Sequence, residues 1–356
     1  MKIAIDVSQI VYGTGVSVYT VNLVTNLLKV DKKNEYILFA GSLRRRQELK
    51  SFYNTKVFPI PPILADLVWN KLHIFPVERL IGEVDVFHSS DWTQPPSGAF
   101  MVTTIHDLAP VMHPKWTDPK ITRVHKRRLN WVKKEVDKII VPSVATKNEL
   151  MKLDFDNQKT IVIQEACNEM FRRSTEEQIV KIRDKYGIQG KYILAVGSGK
   201  RKNTNRIILA FEKVRDKLGI NNLVLTGRPM DGQKKSEGLI FVDHAPKNEL
   251  PILYSGAECL VYASLYEGFG LPILEAFAIG TPVVTSSISS MPEIAGDAAI
   301  LVNPKMDSSI AGGIKRALGD REKLVKKGLS RVKEFSWEKT ARETLNVYNL
   351  CHEDRN

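Results

Sequence analysis

An apolar strand, a glycine turn and the start of a helix follow one another in the stretch Cys259-Leu-Val-Tyr-Ala-Ser-Leu-Tyr-Glu-Gly-Phe-Gly-Leu-Pro-Ile-Leu-Glu-Ala276. The run Cys259–Ala263 has no polar interruption, as expected for a strand buried on both faces of a parallel sheet. Gly268 and Gly270 permit a tight turn, and Pro272 suits the first helical position, where a missing N–H costs nothing. This order predicts a doubly wound α/β domain, whose ligands bind at the turns after the strands.

Eleven similar runs elsewhere in the chain extend this prediction to two domains, because amphipathic stretches separate many of them. We predict residues 1–168 as the first domain and 169–356 as the second, with 337–356 as a closing helix. The predicted strands are Ile3–Val7, Tyr36–Ala40, Val84–His88, Met101–Ile105, Lys138–Val141, Thr160–Ile163, Tyr192–Val196, Asn222–Leu225, Leu239–Val242, Pro282–Ser286 and Ala299–Val302.

Length and composition agree with two packed domains. The chain has 356 residues, of which 43% are hydrophobic and 26% charged, so a disordered or collagen-like protein is excluded. Cys167, Cys259 and Cys351 are scattered singly, and this spacing favours neither a disulfide framework nor a zinc site. Because no apolar run approaches the ~20 residues that cross a bilayer and the first ten residues resemble a strand, we predict a cytoplasmic protein.

Half of the net charge of +12 lies in residues 120–138, which hold eight basic and two acidic residues. At ~100° per residue, one face of this predicted helix is apolar, and the opposite face carries Arg123, Lys126, Arg127, Lys133 and Lys134. That face is either a solvated outer surface or a peripheral contact with the anionic inner membrane face. His125 and Arg128 point inward, where they are satisfied structurally or reach a ligand. No nucleic-acid recognition motif accompanies the charge.

Two carboxylates flank the glycine turn. Glu275 lies in the first helical turn, where an acidic residue can accept hydrogen bonds from a ribose diol, and Glu267 precedes the turn and can hold another hydroxyl. The N–H groups of the helix start favour an anion. The alternative is a sharp structural turn with two exposed carboxylates.

The segment Val196-Gly-Ser-Gly-Lys-Arg-Lys-Asn203 also follows a strand. Arg201 can bind a diphosphate bidentately and Lys202 can act as a point charge, unless the turn is merely solvated and basic. In the first half, the glycines of Gly13-Thr-Gly15 follow a strand and precede a helix, and His106-Asp107 ends another strand. A histidine and aspartate pair can bind sugar hydroxyls or move protons near neutral pH, or can simply be satisfied at the strand end.

Taken together and in order, these segments resemble the group-one family of retaining nucleotide-sugar glycosyltransferases of the GT-B fold, which includes many bacterial mannosyltransferases. The resemblance extends over nearly the whole chain and includes Val141-Pro-Ser143, Ala278-Ile-Gly-Thr-Pro-Val-Val-Thr285 and Met291-Pro-Glu-Ile-Ala-Gly296. It implies two Rossmann-like domains that face each other across a cleft, with the closing helix packed back on the first. One departure is a loop from Gly197 to Lys202 about one residue shorter than usual, with Ser198 at a place often held by Arg.

The resemblance implies which residues act. Catalytic roles fall to His106 at the transferred sugar, Arg201 and Lys202 at the diphosphate, and Glu267 at the donor sugar. The residues implied to bind the donor are Gly13, Gly15, Gly197, Arg201, Lys202, Glu267, Gly268, Phe269, Gly270, Leu271 and Glu275.

The implied reaction moves a hexose, with mannose the leading choice, from a GDP- or UDP-linked sugar to a glycan or lipid-linked acceptor. Negative charge that develops on the leaving diphosphate is stabilised by nearby cations and N–H groups, so neither a metal nor a cofactor is expected. Asp154-Phe-Asp156 matches a metal-binding pattern of another glycosyltransferase class but lies in a polar loop. A nucleotide-sugar epimerase of the same fold and a non-catalytic nucleotide-sugar-binding protein remain alternatives.

Overall fold

The computed structural model describes residues 1–229, 236–243 and 245–352. It divides into two compact units: one joins residues 1–165 with the end of the chain from Trp337, and the other holds residues 166–336. Each unit contains one parallel sheet with helices between its strands. The prediction of two doubly wound α/β domains is therefore confirmed.

Seven parallel strands form the sheet of the first unit, in the order β3-β2-β1-β4-β5-β6-β7. The chain reverses its direction across the sheet between the neighbours β1 and β4, so the turns after these strands lie side by side. The strands are β1 Lys2–Asp6, β2 Glu35–Gly41, β3 Lys56–Phe58, β4 Val86–Ser89, β5 Phe100–Thr104, β6 Lys138–Val141 and β7 Thr160–Val162.

Most helices of the first unit bury apolar residues, as expected of helices that cover a sheet. Short 3-10 helices span Ser8–Val11, Pro114–Trp116 and Leu350–His352, and a π-helix spans Asp66–Lys71. The α-helices are α1 Gly15–Val30, α2 Arg46–Ser51, α3 Pro62–Ala65, α4 Glu78–Ile81, α5 Ala109–Met112, α6 Pro119–Glu135, α7 Val144–Met151 and, at the end of the chain, α15 Trp337–Asn349.

Six parallel strands form the sheet of the second unit, in the order β10-β9-β8-β11-β12-β13. In this sheet the chain reverses its direction between the neighbours β8 and β11. The turn after Val196 and the turn after Ala263, both singled out from the sequence, therefore lie side by side. The strands are β8 Tyr192–Val196, β9 Asn222–Thr226, β10 Leu239–Val242, β11 Leu260–Tyr262, β12 Val283–Ser286 and β13 Ile300–Val302. The helices are α8 Glu176–Tyr186, α9 Thr204–Leu218, α10 Leu250–Ser255, α11 Leu271–Ile279, α12 Met291–Ala295, α13 Asp307–Gly319, α14 Arg321–Arg331 and the 3-10 helix Val332–Glu334.

All twelve predicted strands are present, with ends that differ by up to two residues. The described residues contain one further strand, β3, which the sequence analysis did not predict. It is a short edge strand with no fully buried position. Its three residues pair with the end of β2, from Phe39 to Gly41. An edge strand half exposed to solvent lacks the continuous apolar run that marks the central strands.

The closing helix α15 belongs to the first unit, although it follows the second in sequence. The Thr340 hydroxyl donates to the Gln164 carbonyl at 2.7 Å, and the Tyr348 hydroxyl lies 2.7 Å from Nδ1 of buried His88. Burial lowers the pKa of His88 to about 3, so the ring is neutral in this contact. The boundary predicted after residue 168 falls after residue 165, and the predicted second domain, 169–356, ends at residue 336. Residues 353–356 of the predicted closing segment lie outside the described residues.

Among the described residues, no helix is both long enough and apolar enough to cross a membrane.

Two adjacent glycines of α13 test the packing of the second sheet. A Cβ on buried Gly313 would clash with Val302 and lie 2.9 Å from Cγ1 of Val284, whereas one on Gly312 would meet only the end of Arg316 at 3.6 Å. We expect Gly313→Ala to lower the free energy of unfolding by about 1–3 kcal/mol through overpacking. Gly312→Ala, its matched control, should raise it by about 0.5–1 kcal/mol because alanine favours the helix. Urea unfolding measures both, and equal effects would contradict this packing.

Candidate active site

The glycine turn after β11 is buried and tightly shaped. Gly270 has φ +121°, a backbone conformation that side-chain-bearing residues rarely adopt, and it directly precedes α11. Pro272 is the second residue of that helix. Backbone N–H groups of the first turn have no partner within the helix, so proline, which lacks this group, loses no hydrogen bond there. The Phe269 ring is buried and packs edge to face on Phe335, with 6.2 Å between centroids, so only the backbone of Phe269 can serve a ligand.

Glu267 lies between two cations. Arg201 Nη1 donates to Glu267 Oε2 and Lys202 Nζ donates to Oε1, both at 2.8 Å. The carboxylate is 7% exposed. Burial alone would raise its pKa, but Lys202 and Arg201 outweigh this effect and hold the pKa of Glu267 below its usual range. Three sequence-predicted residues of the two turns, Arg201, Lys202 and Glu267, therefore form one cluster, in which Glu267 is ionised.

The loop before α9 fixes the position of these cations. Gly197 has φ +81°, a backbone conformation that side-chain-bearing residues rarely adopt, and a Cβ there would also press on the Lys202 side chain at 3.0 Å, so this position favours glycine. Lys202 Nζ also donates to the Tyr262 hydroxyl at 2.8 Å. Asn203, in a left-handed conformation, donates to the carbonyls of Ala263 and Pro304 at 2.9 and 2.7 Å. Lys202 is thereby held over the end of β11.

Two serines before α12 hold the carbonyls of the glycine turn. The Ser290 hydroxyl lies 2.9 Å from the Glu267 carbonyl and 2.6 Å from that of Phe269, and the Ser289 hydroxyl lies 2.7 Å from the Glu267 carbonyl. Sequence reasoning missed both serines. Their only signal was their place just before the Met291-Pro-Glu motif.

Glu275 accepts a 2.6 Å hydrogen bond from the Tyr254 hydroxyl. Burial raises the pKa of Glu275 to about 7, although Tyr254 and Lys202 oppose the shift. Near neutral pH this carboxyl is therefore divided between its protonated and ionised forms. Tyr254 was not predicted as part of the site, because it lies in α10 and reaches Glu275 only through the fold.

In the first unit, His106 is held by a buried carboxylate that sequence reasoning did not select. Nδ1 of His106 lies 3.1 Å from Oε1 of Glu165, and the Tyr19 ring packs edge to face on the imidazole at 4.5 Å. Burial alone would lower the pKa of His106, but Glu165, assisted by Asp91 and Asp107, raises it above its usual value. Glu165 lies just after β7, close in space but far in sequence.

His106 also lines a cavity of about 180 Å³ within the first unit. Two inward residues of α6 line it too: His125, whose ring meets Trp92 edge to face, and Arg128, which is buried and donates to the Ser90 carbonyl at 3.1 Å. Asp91 and Asp107 complete the polar lining. The mixture of imidazoles, a guanidinium and carboxylates provides donors and acceptors suited to hydroxyl groups.

The two glycines of the first unit that are predicted to bind the donor lie just before α1 and at its first residue. Gly13 has φ +70°, and Gly15 is the first residue of the helix, with open space where a Cβ would lie at either position. The Ser17 hydroxyl accepts from the Thr14 backbone N–H at 3.2 Å. This turn is therefore shaped by capping of α1 as well as by its glycines.

Two family models match the chain. One described as Glycosyltransferase Family 4 matches residues 13–168, and one described as Glycosyl transferases group 1 matches residues 178–329. The O-antigen chain mannosyltransferase B of Escherichia coli is 27% identical over 98% of this chain and 100% of its own length. The O-antigen chain mannosyltransferase RfbU of Salmonella typhimurium is 31% identical over 60% of this chain and 59% of its own.

Solved structures show the same fold. A glycosyltransferase from Rickettsia africae superposes with a TM-score of 0.74 at 17% identity, covering 98% of both chains. Anabaena HepE, solved in complex with UDP-glucose, gives 0.73 at 15% identity over 98% of this chain and 99% of its own. These structures show the GT-B fold, and the two family models and the mannosyltransferase relatives show that the chain is a glycosyltransferase. Within that class, the chain belongs to the group 1 glycosyltransferases, as the sequence motifs predicted.

The raised pKa of Glu275 generates a pH prediction. Between pH 4.5, the ordinary value, and about 7, the folded protein keeps a proton that the unfolded chain has lost, so stability falls as pH rises. We expect wild type to lose about 2–3 kcal/mol of unfolding free energy relative to Glu275→Gln between pH 4.5 and 8. Denaturant unfolding across this range measures it, with exposed Glu212→Gln as control. If the difference in unfolding free energy between wild type and Glu275→Gln did not change with pH, it would contradict a buried carboxyl that keeps its proton.

The contact with Glu165 generates a second prediction. Because Glu165 raises the pKa of His106, Glu165→Gln should lower it and shift the imidazole toward its neutral form. An NMR titration of the His106 ring C–H signals measures the change. Glu83→Gln, an exposed carboxylate of the same unit, is the control. An unchanged titration midpoint in Glu165→Gln would show that this carboxylate does not hold the imidazolium.

Proposed function

We propose that the protein is a retaining, metal-independent glycosyltransferase that moves mannose from a nucleotide diphosphate mannose to a glycan or lipid-linked acceptor. The observation that carries this proposal is the cluster of Arg201 and Lys202 on Glu267 at the start of α11. Two cations share one carboxylate there, which leaves net positive charge to attract a diphosphate.

In this proposal the second unit holds the donor. Lys202 and Arg201, with side chains 19% and 31% exposed, neutralise the diphosphate, and Glu267 then takes hydroxyls of the donor sugar. The glycine turn, from Gly268 to Gly270 and on to Leu271, offers backbone N–H groups at a helix start. Glu275 in its ionised form accepts from the ribose diol. Gly197 allows Lys202 to take its position.

The chemistry follows from the charges that develop. As the anomeric bond breaks, the leaving diphosphate gains negative charge, and fixed cations and N–H groups stabilise it more than they stabilise the intact donor. Lys202 and Arg201 supply that charge without a metal. We infer from the family resemblance that the acceptor attacks the face from which the diphosphate leaves, with the donor phosphate as base.

Mannose is proposed because relatives that match the chain are named mannosyltransferases of Escherichia coli and Salmonella typhimurium. We propose GDP as its carrier, with UDP as the alternative, since a structure of the same fold was solved with UDP-glucose.

The first unit takes the acceptor in this proposal. Its cavity offers His106, His125 and Arg128 as donors and two aspartates as acceptors, a set that suits sugar hydroxyls. We propose that His106 contacts the transferred sugar and that Gly13 and Gly15 approach the diphosphate through their backbone.

We also propose that the protein acts at the cytoplasmic face of the inner membrane. Helix α6 carries exposed Lys120, Arg123, Lys126, Lys133 and Lys134. A row of cations of this kind is attracted to anionic lipid headgroups, where lipid-linked acceptors reside.

Nucleotide binding in EDTA tests the donor proposal. We expect Lys202→Ala to weaken GDP binding about 10–100-fold, because a charge-assisted hydrogen bond contributes about 1.5–3 kcal/mol. Lys200→Ala, an exposed lysine of the same loop, should bind as wild type. Calorimetry with GDP, UDP and GDP-mannose measures affinity and base preference. Undiminished binding by Lys202→Ala would exclude the diphosphate role, and binding that appears only with a divalent ion would exclude metal independence.

A further inference from the structure

Large apolar side chains are exposed together in one segment of the first unit. Residues 62–75, here called the apolar segment, comprise α3, the π-helix Asp66–Lys71 and the turn that follows. Ile63 is 85% exposed, Leu72 53% and Ile74 55%, and Leu64, Leu67 and Phe75 are also exposed. Single exposed apolar residues are ordinary, but a contiguous group marks an interaction surface.

A buried base holds these side chains outward. Trp69 and Asn70 are 3% and 2% exposed. The Trp69 indole N–H donates to the Phe75 carbonyl at 3.1 Å, and the Asn70 side chain donates to the Trp92 carbonyl at 3.1 Å. Phe75 itself has φ +66°, a conformation rare for a bulky residue, so the turn is fixed by its surroundings. The apolar side chains therefore project from an ordered element.

The apolar segment runs along helix α6. Asp66 forms an ion pair with Arg127, the Trp131 indole donates to the Asn70 carbonyl at 2.9 Å, and the His73 ring stacks on Trp131 at 3.6 Å. Arg127, predicted from sequence to belong to the outward basic face, is thus half-buried and bound to this segment. Its pairing neutralises Asp66.

Cations border the apolar side chains. By helical spacing, Lys120, Arg123 and Lys134 lie on the stripe of α6 that contains Arg127, and all three are exposed. The segment and its flank add exposed Lys71 and Arg79, with Arg79 over the Phe75 ring. Apolar side chains that project outward, bordered by lysine and arginine, have the chemistry of an element lying in the interface of an anionic bilayer.

We propose that the apolar segment inserts into the interface of an anionic membrane while the cations of α6 lie on the headgroups. This inference extends the membrane contact of α6 given under the proposed function by assigning the inserting residues. A bilayer fits better than a protein partner, because lysine is depleted at protein interfaces, whereas exposed Lys71, Lys120 and Lys134 border these apolar side chains.

The inner side of the apolar segment lines a cavity, which suggests what membrane insertion would achieve. Pro62, Ala65 and Trp69 line a small cavity with Asp6 and Trp92. Docking through the outer side would bring this cavity to the membrane surface, within reach of an acceptor that is anchored in lipid.

Vesicle sedimentation with the full chain tests the inference, and its readout does not depend on enzyme activity. The vesicles are phosphatidylcholine alone or an equimolar mixture with phosphatidylglycerol, at low salt and at about 1 M salt, where screening shortens the Debye length to about 3 Å. The apolar variant is Ile63→Gln, Leu72→Gln and Ile74→Gln together. Its matched control replaces Leu209, Met306 and Leu329, exposed apolar residues of the second unit, by Gln.

We expect wild type and the matched control to bind the mixed vesicles and to keep part of this binding at high salt. The apolar variant should bind at least tenfold more weakly and lose the salt-resistant part. Because the replaced side chains are exposed, its circular dichroism and unfolding should match wild type. The inference would be overturned if the apolar variant bound vesicles as well as wild type does. It would also be overturned if wild type bound no vesicles and instead formed a dimer that the apolar variant does not form.

A charge variant, Arg123→Gln with Lys126→Gln and Lys134→Gln, separates this inference from the proposed contact of α6. If insertion and charge both act, this variant loses its preference for phosphatidylglycerol but keeps the salt-resistant binding. If it binds as wild type while the apolar variant fails, the insertion stands and the charge contact fails. Loss of the salt-resistant binding in the charge variant would overturn the insertion.

Discussion

The second unit depends on one buried carboxylate. Glu267 is ionised because Arg201 and Lys202 contact its two oxygens, and removing either partner would leave a buried charge incompletely compensated. The same residue fixes three loops, since its backbone carbonyl also accepts from Ser289 and Ser290. The end of β8, the end of β11 and the start of α12 are thereby held at one edge of the sheet, where the strand order reverses.

The two units present different chemistries. In the second, cations exceed the carboxylate that they share, which suits a diphosphate, and Glu275 has its pKa raised to about 7 by burial. In the first, a buried glutamate keeps His106 protonated to a higher pH than usual, beside two aspartates. Within the second unit, burial raises the pKa of Glu275, whereas Lys202 and Arg201 hold the pKa of Glu267 below its usual range.

Helix α6 joins an inner site to an outer surface. Its inward residues His125 and Arg128 line the cavity that contains His106. Its flank binds the apolar segment through Arg127 and Trp131, and its outer stripe carries the lysines and arginines. The basic residues of 120–138 therefore lie in three different environments: Arg128 lines a buried cavity, Arg127 forms an ion pair within the unit, and the exposed lysines and arginine form a surface that suits anionic lipid.

Local sequence patterns predict the two α/β domains, twelve of the thirteen strands in the described part of the chain, the two turns of the second unit and the family, because strands buried on both faces and glycine turns leave such patterns. The residues that complete the sites are brought together by folding and could not be predicted from local patterns. Glu165 reaches His106 across 59 residues, Tyr254 reaches Glu275 across 21, and Tyr348 reaches His88 across 260. The same holds for the edge strand β3, the place of α15 in the first unit and the pairing of Arg127 with Asp66. A contact between distant segments depends on the path of the chain between them, which no local pattern records.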